Sequence, residues 1–464
     1  MKSMKYVKSL ICVMAVGITM ICTSGCSNKD EDVIVLRVNN WEEYIDEGEW
    51  DEEIELEDGT VITSTQSIVD DFEDWFYKEY GKKVVVEYST FGTNEDMYNQ
   101  ITLGDQFDLV CPSEYMIMKM MTEDMLEPYS EEFFDPSIEN NYYIRNVSPY
   151  IENRLENLVI DNKPISEYGA GFMWGTLGFV YNPEYVTREE ASHWNILTNP
   201  KYYKRITIKD SVRDAYFAGT AINYYDEIMA PEFINDPDYA ANLEMLINST
   251  DKQTVDNVEQ ILSAAQQNVY SFETDAGKAD MVTGKVVANQ QWSGDGVYTL
   301  DQAEEDGLIL YYVNPEEATN LWFDGWVMLK DGIDGDPDKK MAAEAFVNYM
   351  SQSESAIRNM YYIGYTSVIS GGEDDTVMEY VKWCYESEEE DEELIDYDIS
   401  YFFGRDVYIS TTLEDTYRQL GAQYPEKEVL DRAVIMRYFD KSCNERINRM
   451  WTNVRCFDLD AWFG

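Results

Sequence analysis

The hydrophobic positions of the chain alternate between short apolar runs and stretches with helical spacing. Residues 33–38, 84–88 and 107–110 are apolar runs that predict strands, and residues 67–80 and 93–103 carry the spacing of amphipathic helices. The order strand, helix, strand, helix, strand implies right-handed crossovers and a mostly parallel sheet. The sequence therefore predicts an α/β fold.

Further strands and two polar segments extend this pattern. Strands are predicted at 172–181, 205–209, 286–292, 308–313 and 322–329. Residues 42–63 are dense in acids and predict a surface insertion, and residues 386–393 hold seven acids in eight positions, a pattern typical of a solvated charge run. At 464 residues the chain exceeds what one hydrophobic core usually supports, so two lobes are expected.

The composition is that of a folded and strongly acidic protein. Hydrophobic residues make up 44% and aromatic residues 14%, which excludes wholesale disorder. The formal net charge is −55, which repels nucleic-acid backbones and anionic lipid surfaces. Nucleic-acid binding is therefore not expected. Solubility explains the bulk charge at least as well as attraction of polycations.

The N-terminus has the pattern of an export signal. Lys2, Lys5 and Lys8 precede an apolar stretch at 10–21, too short to span a bilayer comfortably. Thr23-Ser24-Gly25-Cys26 resembles the lipobox of bacterial lipoproteins, although Thr23 stands where Leu is usual. The resemblance implies a signal peptide at 1–25, lipidation of Cys26, a tether at 26–32 and anchoring to the outer face of the cytoplasmic membrane.

The remaining cysteines and the single histidine limit the possible chemistry. Cys111, Cys384, Cys443 and Cys456 allow three complete disulfide pairings, but Cys443 and Cys456 would stand about 20 Å apart on one helix. His193 has no partners in its own stretch, which argues against a histidine zinc site and a Ser-His-Asp triad. No metal, cofactor or enzymatic step is predicted.

Tryptophan is followed within three residues by a carboxylate at several places, and three of these couples are Trp41 with Glu43, Trp292 with Asp295, and Trp322 with Asp324. An aromatic face attracts a cation, and a nearby carboxylate neutralises it, so such a couple can hold an organic amine. For any one couple, a half-buried tryptophan beside a solvated acid is the simpler explanation. The recurrence favours an amine site.

Several motifs in a fixed order identify a family resemblance. They are NNWEEY at 39–44, TNEDMYNQI at 93–101, FDLVCPSEY at 107–115, GFMWGTLGFVYN at 171–182, QWSGDGVY at 291–298, NLWFDGWVM at 320–328 and NRMWTNV at 448–454. In this order the motifs resemble the polyamine-binding proteins of bacterial ABC importers, the spermidine- and putrescine-binding family. The resemblance runs from about residue 33 to 455.

The resemblance implies a set of ligand-binding residues. Around the methylene chain of a ligand it places Trp41, Tyr44, Ser113, Tyr115, Trp292 and Trp322. At the amines it places Asp214, Asp295 and Asp324, with Glu43 a further candidate and Tyr365 a ligand contact. Ser211 stands where the spermidine-binding pattern has a carboxylate, so the preferred chain length stays open.

The resemblance also implies an architecture and a function. It predicts a two-lobed, type II periplasmic-binding-protein fold with a ligand cleft between lobes, lobe one at 33–170 plus 322–370 and lobe two at 171–321 plus 371–464. The expected function is binding of putrescine or spermidine and delivery to ABC permease subunits by a monomeric, lipid-anchored, exported protein. Another amine, such as GABA or agmatine, and a surface sensor without transport remain alternatives. A glycosidase with paired carboxylates is the enzymatic rival.

Overall fold

The computed structural model describes residues 33–387 and 393–456. The predicted signal peptide with Cys26, the predicted tether and most of the predicted acidic run lie outside the described residues. The described chain is an α/β structure built on one large sheet, and this sheet continues through both halves of the molecule.

Each of the eight apolar runs predicted as strands overlaps a strand of the structure, and the described residues form ten further strands that were not predicted. The strands are β1 Ile34–Trp41, β2 Ile54–Glu55, β3 Val61–Ile62, β4 Val84–Phe91, β5 Leu109–Val110, β6 Leu126–Glu127, β7 Val159–Ile160, β8 Lys163–Pro164, β9 Gly169–Tyr181, β10 Ile206–Lys209, β11 Ser271–Glu273, β12 Ala288–Trp292, β13 Tyr311–Val313, β14 Thr319–Leu329, β15 Thr366–Ser367, β16 Leu394–Asp398, β17 Tyr408–Thr412 and β18 Ala433–Val434.

Helices connect these strands. They are α1 Ile68–Tyr80, α2 Asn94–Leu103, α3 Glu114–Thr122, α4 Tyr142–Asn146, α5 Pro149–Glu156, α6 Arg188–Ala191, α7 Val212–Asn223, α8 Tyr225–Ile228, α9 Pro231–Ile234, α10 Tyr239–Ile247, α11 Lys252–Asn268, α12 Ala276–Val282, α13 Ser293–Glu305, α14 Lys330–Ile333, α15 Pro337–Met350, α16 Ser353–Ile363, α17 Thr376–Tyr385, α18 Ser400–Phe403, α19 Gln419–Gln423, α20 Lys427–Asp431 and α21 Lys441–Arg455. Short 3₁₀ turns occur at Glu132–Phe134, Ile165–Glu167, Trp194–Thr198, Pro200–Tyr202 and Asp415–Tyr417.

Two long strands join the halves of the sheet. β9 and β14 pair antiparallel along most of their length, and every residue of both strands is buried. On one side, β5, β1 and β4 follow β14, with β1 parallel to both neighbours; on the other, β12, β10 and β11 follow β9, with β10 parallel to both neighbours. The predicted parallel pairing is confirmed for β4, β1 and β5 in one half and for β11, β10 and β12 in the other. The long strand β9 instead pairs antiparallel with β12, β13, β14 and β15, and β14 also pairs antiparallel with β5 and β6.

Each half has a hydrophobic core of its own. One core includes Phe72, Phe76 and Trp326, and the other includes Trp194, Phe217 and Leu262, all with almost no solvent exposure. Two cores are what a chain of this length requires, since a single core stops growing at this size. The prediction of a two-lobed α/β fold is therefore confirmed.

The predicted surface insertion at 42–63 is partly wrong. Its acidic side chains are mostly exposed, but Trp50, Ile54 and Ile62 are buried in the first core. Asp46 is also buried, and it accepts hydrogen bonds from the Trp50 indole at 2.9 Å and from the Arg358 guanidinium at 2.8 Å. A buried carboxylate is stable only when it is paired, and Arg358 supplies the pair from 312 residues away.

Two further features of the described residues are the state of the cysteines and the length of the apolar helices. All four described cysteines are free, and Cys111 is fully buried, as a small apolar residue would be. Within 33–387 and 393–456, the structure contains no helix that is both long enough and apolar enough to cross a bilayer.

Candidate functional site

The carboxyl ends of β1 and β5 meet the middle of β14 at Asp324. Tyr44, just after β1, donates a hydrogen bond from its hydroxyl to Asp324 Oδ2 at 2.8 Å, and Ser113, just after β5, donates to Oδ1 at 2.7 Å. Ser113 and Asp324 also form an isolated antiparallel bridge. The order of the strands in the sheet therefore brings together three residues that are up to 280 positions apart in the sequence.

Asp324 is buried and has no cationic partner. It is 5% exposed, and burial raises its pKa from an ordinary 3.8 to about 6, although both hydroxyl groups act to lower it. Among the residues that the structure describes, no lysine or arginine forms an ion pair with this carboxylate. A buried anion held only by hydroxyl groups is energetically costly, and a cation beside it would remove that cost.

Glu114, the first residue of α3, lies close enough to Asp324 for that charge to act on its carboxyl group. Burial, followed by the neighbouring Asp324 charge, raises its pKa to about 8, and its carboxyl group accepts a hydrogen bond from the Phe323 backbone at 3.2 Å. Glu114 is therefore mostly neutral at pH 7. The anionic group on this side of the site is Asp324.

Asn94, at the start of α2, holds the residues around Ser113. Its amide nitrogen donates to Ser113 Oγ and to the Tyr115 hydroxyl, both at 3.0 Å, and its Oδ1 accepts from the Ser113 backbone at 3.0 Å. The sequence analysis did not single out Asn94. The available signal was the N-cap motif, because Thr93 caps α2 and fixes the first residue of that helix.

The second half of the site lies at the start of α13. Trp292 occupies the N-cap position of this helix and Asp295 lies in its first turn, where the helix dipole favours a negative charge. Asp295 accepts hydrogen bonds from the Tyr365 hydroxyl at 3.0 Å and from Lys209 and Lys278, each at 3.4 Å. Burial acts to raise the pKa of Asp295, but the two lysines and Tyr365 outweigh it and hold the pKa below its ordinary value.

Lys209 and Lys278 were missed by the sequence analysis as site residues. Lys209 is the last residue of β10, and its side chain is 1% exposed. Its ammonium lies 4.3 Å from the centre of the Trp292 ring. The signal that could have found Lys209 is its place at the carboxyl end of a buried strand, where a lysine needs an acid partner.

Tyr365 joins the two halves. It follows Gly364, which ends α16 in the left-handed conformation at φ 78°. Its ring centre lies 5.1 Å from that of Tyr44 and 5.7 Å from that of Trp322. These three rings form an aromatic wall between the Asp324 and Asp295 carboxylates.

Two glycines make room for this wall. A Cβ at Gly294 would lie 2.3 Å from the Tyr365 ring, and one at Gly175 would lie 2.6 Å from the Trp322 ring. Neither distance is compatible with a side chain. The glycines of the WGT and SGDG motifs are thus explained by the close approach of aromatic rings.

Asp214 and Ser211 lie at the start of α7. Ser211 caps this helix and accepts a hydrogen bond from the Asp214 backbone at 3.3 Å, so its hydroxyl has a structural role. Asp214 is buried, which raises its pKa, while the Ser211 hydroxyl and the Trp292 indole hydrogen-bond to its carboxyl group. The neighbouring Asp210 is paired with Arg455 at 2.8 Å.

The first tryptophan and acid couple is not assembled in the structure. Trp41 packs on Phe91 with ring centres 4.7 Å apart, and its buried indole nitrogen has no hydrogen-bond partner among the described residues. Glu43 is exposed, has a left-handed φ of 53°, and acts electrostatically on Tyr362.

Tyr115 lies beside Ser113 and has polar and cationic neighbours. Its hydroxyl hydrogen-bonds to Asn94 and Glu95, and the Arg213 guanidinium lies 4.8 Å from its ring centre.

His193 has a partner that its local sequence did not indicate. Its Nδ1 lies 3.2 Å from Glu317 Oε1, 124 residues later in the chain. This partner lies outside the stretch of sequence around His193, where none was found. Among the described residues, no group of three or more histidine, cysteine or acidic side chains is placed to hold a metal ion.

Comparisons with known proteins identify the family to which the chain is similar. Residues 67–381 match the family of bacterial extracellular solute-binding proteins. The spermidine/putrescine-binding periplasmic protein of Salmonella typhimurium (strain LT2) is 23% identical over 356 residues, covering 76% of this chain and 82% of that protein. The putrescine-binding periplasmic protein PotF of Escherichia coli K12 is 23% identical over 288 residues, covering 59% and 68%. The resemblance identified from the motifs is confirmed.

Solved structures show the same fold. The spermidine/putrescine substrate-binding protein PotD of Streptococcus pneumoniae superposes with a TM-score of 0.58 at 24% identity, covering 91% of this chain and 98% of that one. The Tp0655 (TpPotD) lipoprotein of Treponema pallidum gives 0.59 at 16% identity, covering 90% and 99%. At these identities the likeness establishes the architecture.

Proposed function

Because the chain belongs to the family of bacterial extracellular solute-binding proteins, we propose that it binds an alkylamine, the class of ligand for which its putrescine- and spermidine-binding relatives are named. The observation that carries this proposal is Asp324, a buried carboxylate with which no lysine or arginine in the described part of the chain forms an ion pair. A protein of this family is a transport component and not an enzyme.

The chemistry of the site suits such a ligand. A primary ammonium placed at Asp324 supplies the missing positive charge, and Tyr44, Trp322 and Tyr365 offer apolar faces to the methylene groups behind it. Ser113 and Tyr44 hold the carboxylate oxygens in place before the ligand arrives. We assign a supporting role to Tyr115, Trp292 and Asp214 and a peripheral one to Trp41 and Glu43.

The fold suggests how binding is signalled. Asp324 lies in the first half, Asp295 in the second, and Tyr365 between them, so a ligand that touches all three favours a closed arrangement of the lobes. The lobe boundaries predicted from sequence are part of this proposal. In the proposed function the closed form docks on the permease of an ABC importer.

A ligand screen on the native protein tests the proposal. Putrescine, spermidine, agmatine, 4-aminobutanoate and a neutral sugar are compared by thermal shift, and at least one alkylamine is expected to stabilise the protein. A ligand at a hundred times its dissociation constant adds about 2.7 kcal/mol to the free energy of unfolding. The variant Asp324→Asn should lose roughly 3 to 5 kcal/mol of binding, because it leaves the buried ammonium unpaired.

The control for this experiment is Asp105→Asn, which removes an exposed carboxylate without a side-chain ion pair from the first half. Equal loss of affinity in the two variants would mean that the overall negative charge of the protein, and not Asp324 in particular, attracts the amine. A shift with the sugar alone would overturn the proposal.

The proposed location is the outer face of the cytoplasmic membrane, with Cys26 as the lipid-bearing residue. A solved neighbour is itself named a lipoprotein. We expect Cys26→Ser to move the protein from the membrane fraction into the medium, with unchanged amine affinity. Unaltered fractionation of this variant would point to another anchor.

A further inference from the structure

The couple of Trp292 and Asp295 holds an ammonium that belongs to the chain. Lys209 Nζ lies 4.3 Å from the centre of the Trp292 ring and 3.4 Å from Asp295 Oδ2. This is the arrangement expected for a ligand ammonium in an aromatic and acidic cage. In this structure the cation of the cage is a side chain.

The position of Lys209 is fixed by several contacts. Its ammonium also donates to the Thr274 carbonyl at 2.5 Å and lies 4.0 Å from Glu273 Oε1, while its backbone nitrogen donates to Gln290 Oε1 at 3.1 Å. The side chain is 1% exposed. Moving the ammonium away would leave Asp295 and Glu273 short of a buried partner, which is costly.

The other oxygen of Asp295 is also occupied. Lys278 Nζ lies 3.4 Å from Oδ1, and the Tyr365 hydroxyl donates to the same atom at 3.0 Å. Lys278 Nζ also forms an ion pair with Asp275 Oδ1 at 3.6 Å. A second ligand ammonium at Asp295 would therefore either displace a lysine or lie beside two like charges, and both are unfavourable.

Asp324 differs in each of these respects, since among the described residues its side-chain donors are the two hydroxyl groups. Resting on the proposed function, we propose that Lys209 takes the place of a second ligand ammonium, so that the site selects alkylamines with one ammonium, for Asp324, and a far end that is not cationic. The ligand class is then an amino alcohol or an ω-amino acid. Lys209 is the residue that determines this specificity.

The first test uses the native protein and three probes of equal chain length. Putrescine, 4-amino-1-butanol and 4-aminobutanoate each place one ammonium at Asp324, and they differ only in whether the far end is cationic, neutral or anionic. By calorimetry, at least one of the latter two should bind ten-fold or more tightly than putrescine. Putrescine binding as tightly as both, or more tightly, overturns the inference.

The second test changes the lysine. Lys209→Met keeps a side chain of similar length and removes the ammonium, so the affinity for putrescine relative to the best single-ammonium probe should rise at least ten-fold. The matched control is Lys285→Met, which removes a half-exposed lysine paired with Asp280 in the same half. An unchanged ratio in Lys209→Met overturns the inference, and Lys209→Gln serves as a second variant if the first does not fold.

The outcomes separate this inference from the proposed function. If alkylamines bind in an Asp324-dependent way and putrescine is preferred, only the role of Lys209 is wrong. If no alkylamine binds the native protein, the proposed function fails and the inference fails with it. The comparison of probes on the native protein gives a decision even if neither lysine variant folds.

Discussion

Asp324 and Asp295 are both buried aspartates at the site, one in each half of the molecule, yet their surroundings are opposite. Asp324 is held by two neutral hydroxyl groups, and its pKa is raised by burial to about 6. Asp295 is equally enclosed, but Lys209 and Lys278 lower its pKa below the ordinary value. A carboxylate that already has its cations stabilises the folded chain, whereas one that lacks a cation is ready to bind one.

The largest expected effect is a difference between the two aspartates in what each contributes to the free energy of unfolding. Asp295→Asn leaves Lys209 and Lys278 without their shared buried partner, and we expect a loss of roughly 3 to 5 kcal/mol in the free energy of unfolding. Asp324→Asn removes a desolvated charge that costs the folded protein about 3 kcal/mol at neutral pH. It also loses one hydrogen bond from a hydroxyl group, so the net effect should be to stabilise the ligand-free protein by about 1 to 2 kcal/mol.

Urea unfolding of both variants without ligand measures this difference. Asp105→Asn again serves as the reference for loss of an exposed carboxylate. If Asp324→Asn destabilises the protein as much as Asp295→Asn does, the carboxylate of Asp324 also stabilises the fold, and the contrast between the two aspartates is wrong.

A smaller effect is expected at the aromatic wall that joins the two aspartates. In Gly294→Ala the new methyl group would lie 2.3 Å from the Tyr365 ring, so the ring must move away from Asp295 and Tyr44. We expect a loss of about 1 to 3 kcal/mol in stability and a weaker affinity for the amine.

Gly92→Ala is the matched control for this variant, because a Cβ there has no neighbour within 4 Å and its backbone has no left-handed φ. Thermal unfolding and calorimetry compare the two variants. Normal affinity in Gly294→Ala would show that the wall is not needed for binding.

The smallest expected effect is a dependence of the amine affinity on pH, which we assign to Asp324. An alkylammonium stays charged below pH 8, so its affinity follows the ionised fraction of Asp324, and it should fall by about ten-fold for each pH unit below about 6. The stability of the ligand-free protein changes in the opposite direction. Because the folded state holds this proton more tightly than the unfolded state, stability decreases as the pH rises from about 4 to about 6.

Glu114 extends this decrease in stability toward pH 8, since burial raises its pKa as well. Calorimetry at pH 5, 6 and 7 tests the binding curve. In Asp324→Asn the dependence of any residual binding on pH should disappear. A native affinity that is constant between pH 5 and 7 contradicts the assignment of Asp324 as the acceptor.

The elements of the fold could largely be predicted because they are determined locally. Apolar runs placed β1, β4, β9, β10, β12 and β14, and the helical spacing of Ile68, Phe72 and Phe76 placed α1 between Ser67 and Gly81. Trp292 and Asp295 were predicted as a couple from their spacing of three residues, and in the structure a helix begins between them. These relations extend over a few residues, so the sequence alone contains them.

The partners of each charge could not be predicted in the same way. Lys209 and Lys278 reach Asp295 from 86 and 17 residues away, Arg358 reaches Asp46 across 312, and Glu317 reaches His193 across 124. The couple of Trp41 and Glu43 was expected from spacing, but the left-handed backbone at Glu43 leaves that side chain exposed. Spacing along the chain carries no information about such long-range contacts.

The sequence by itself determined the main strands of the large sheet, the first two helices, and the presence of aromatic and acidic residues suited to an amine. The tertiary structure alone decided which of those acids still lacks a cation. The physical reason is that burial and pairing depend on neighbours that the fold brings together from distant parts of the chain, and these neighbours determine the charge that each carboxylate presents to a ligand.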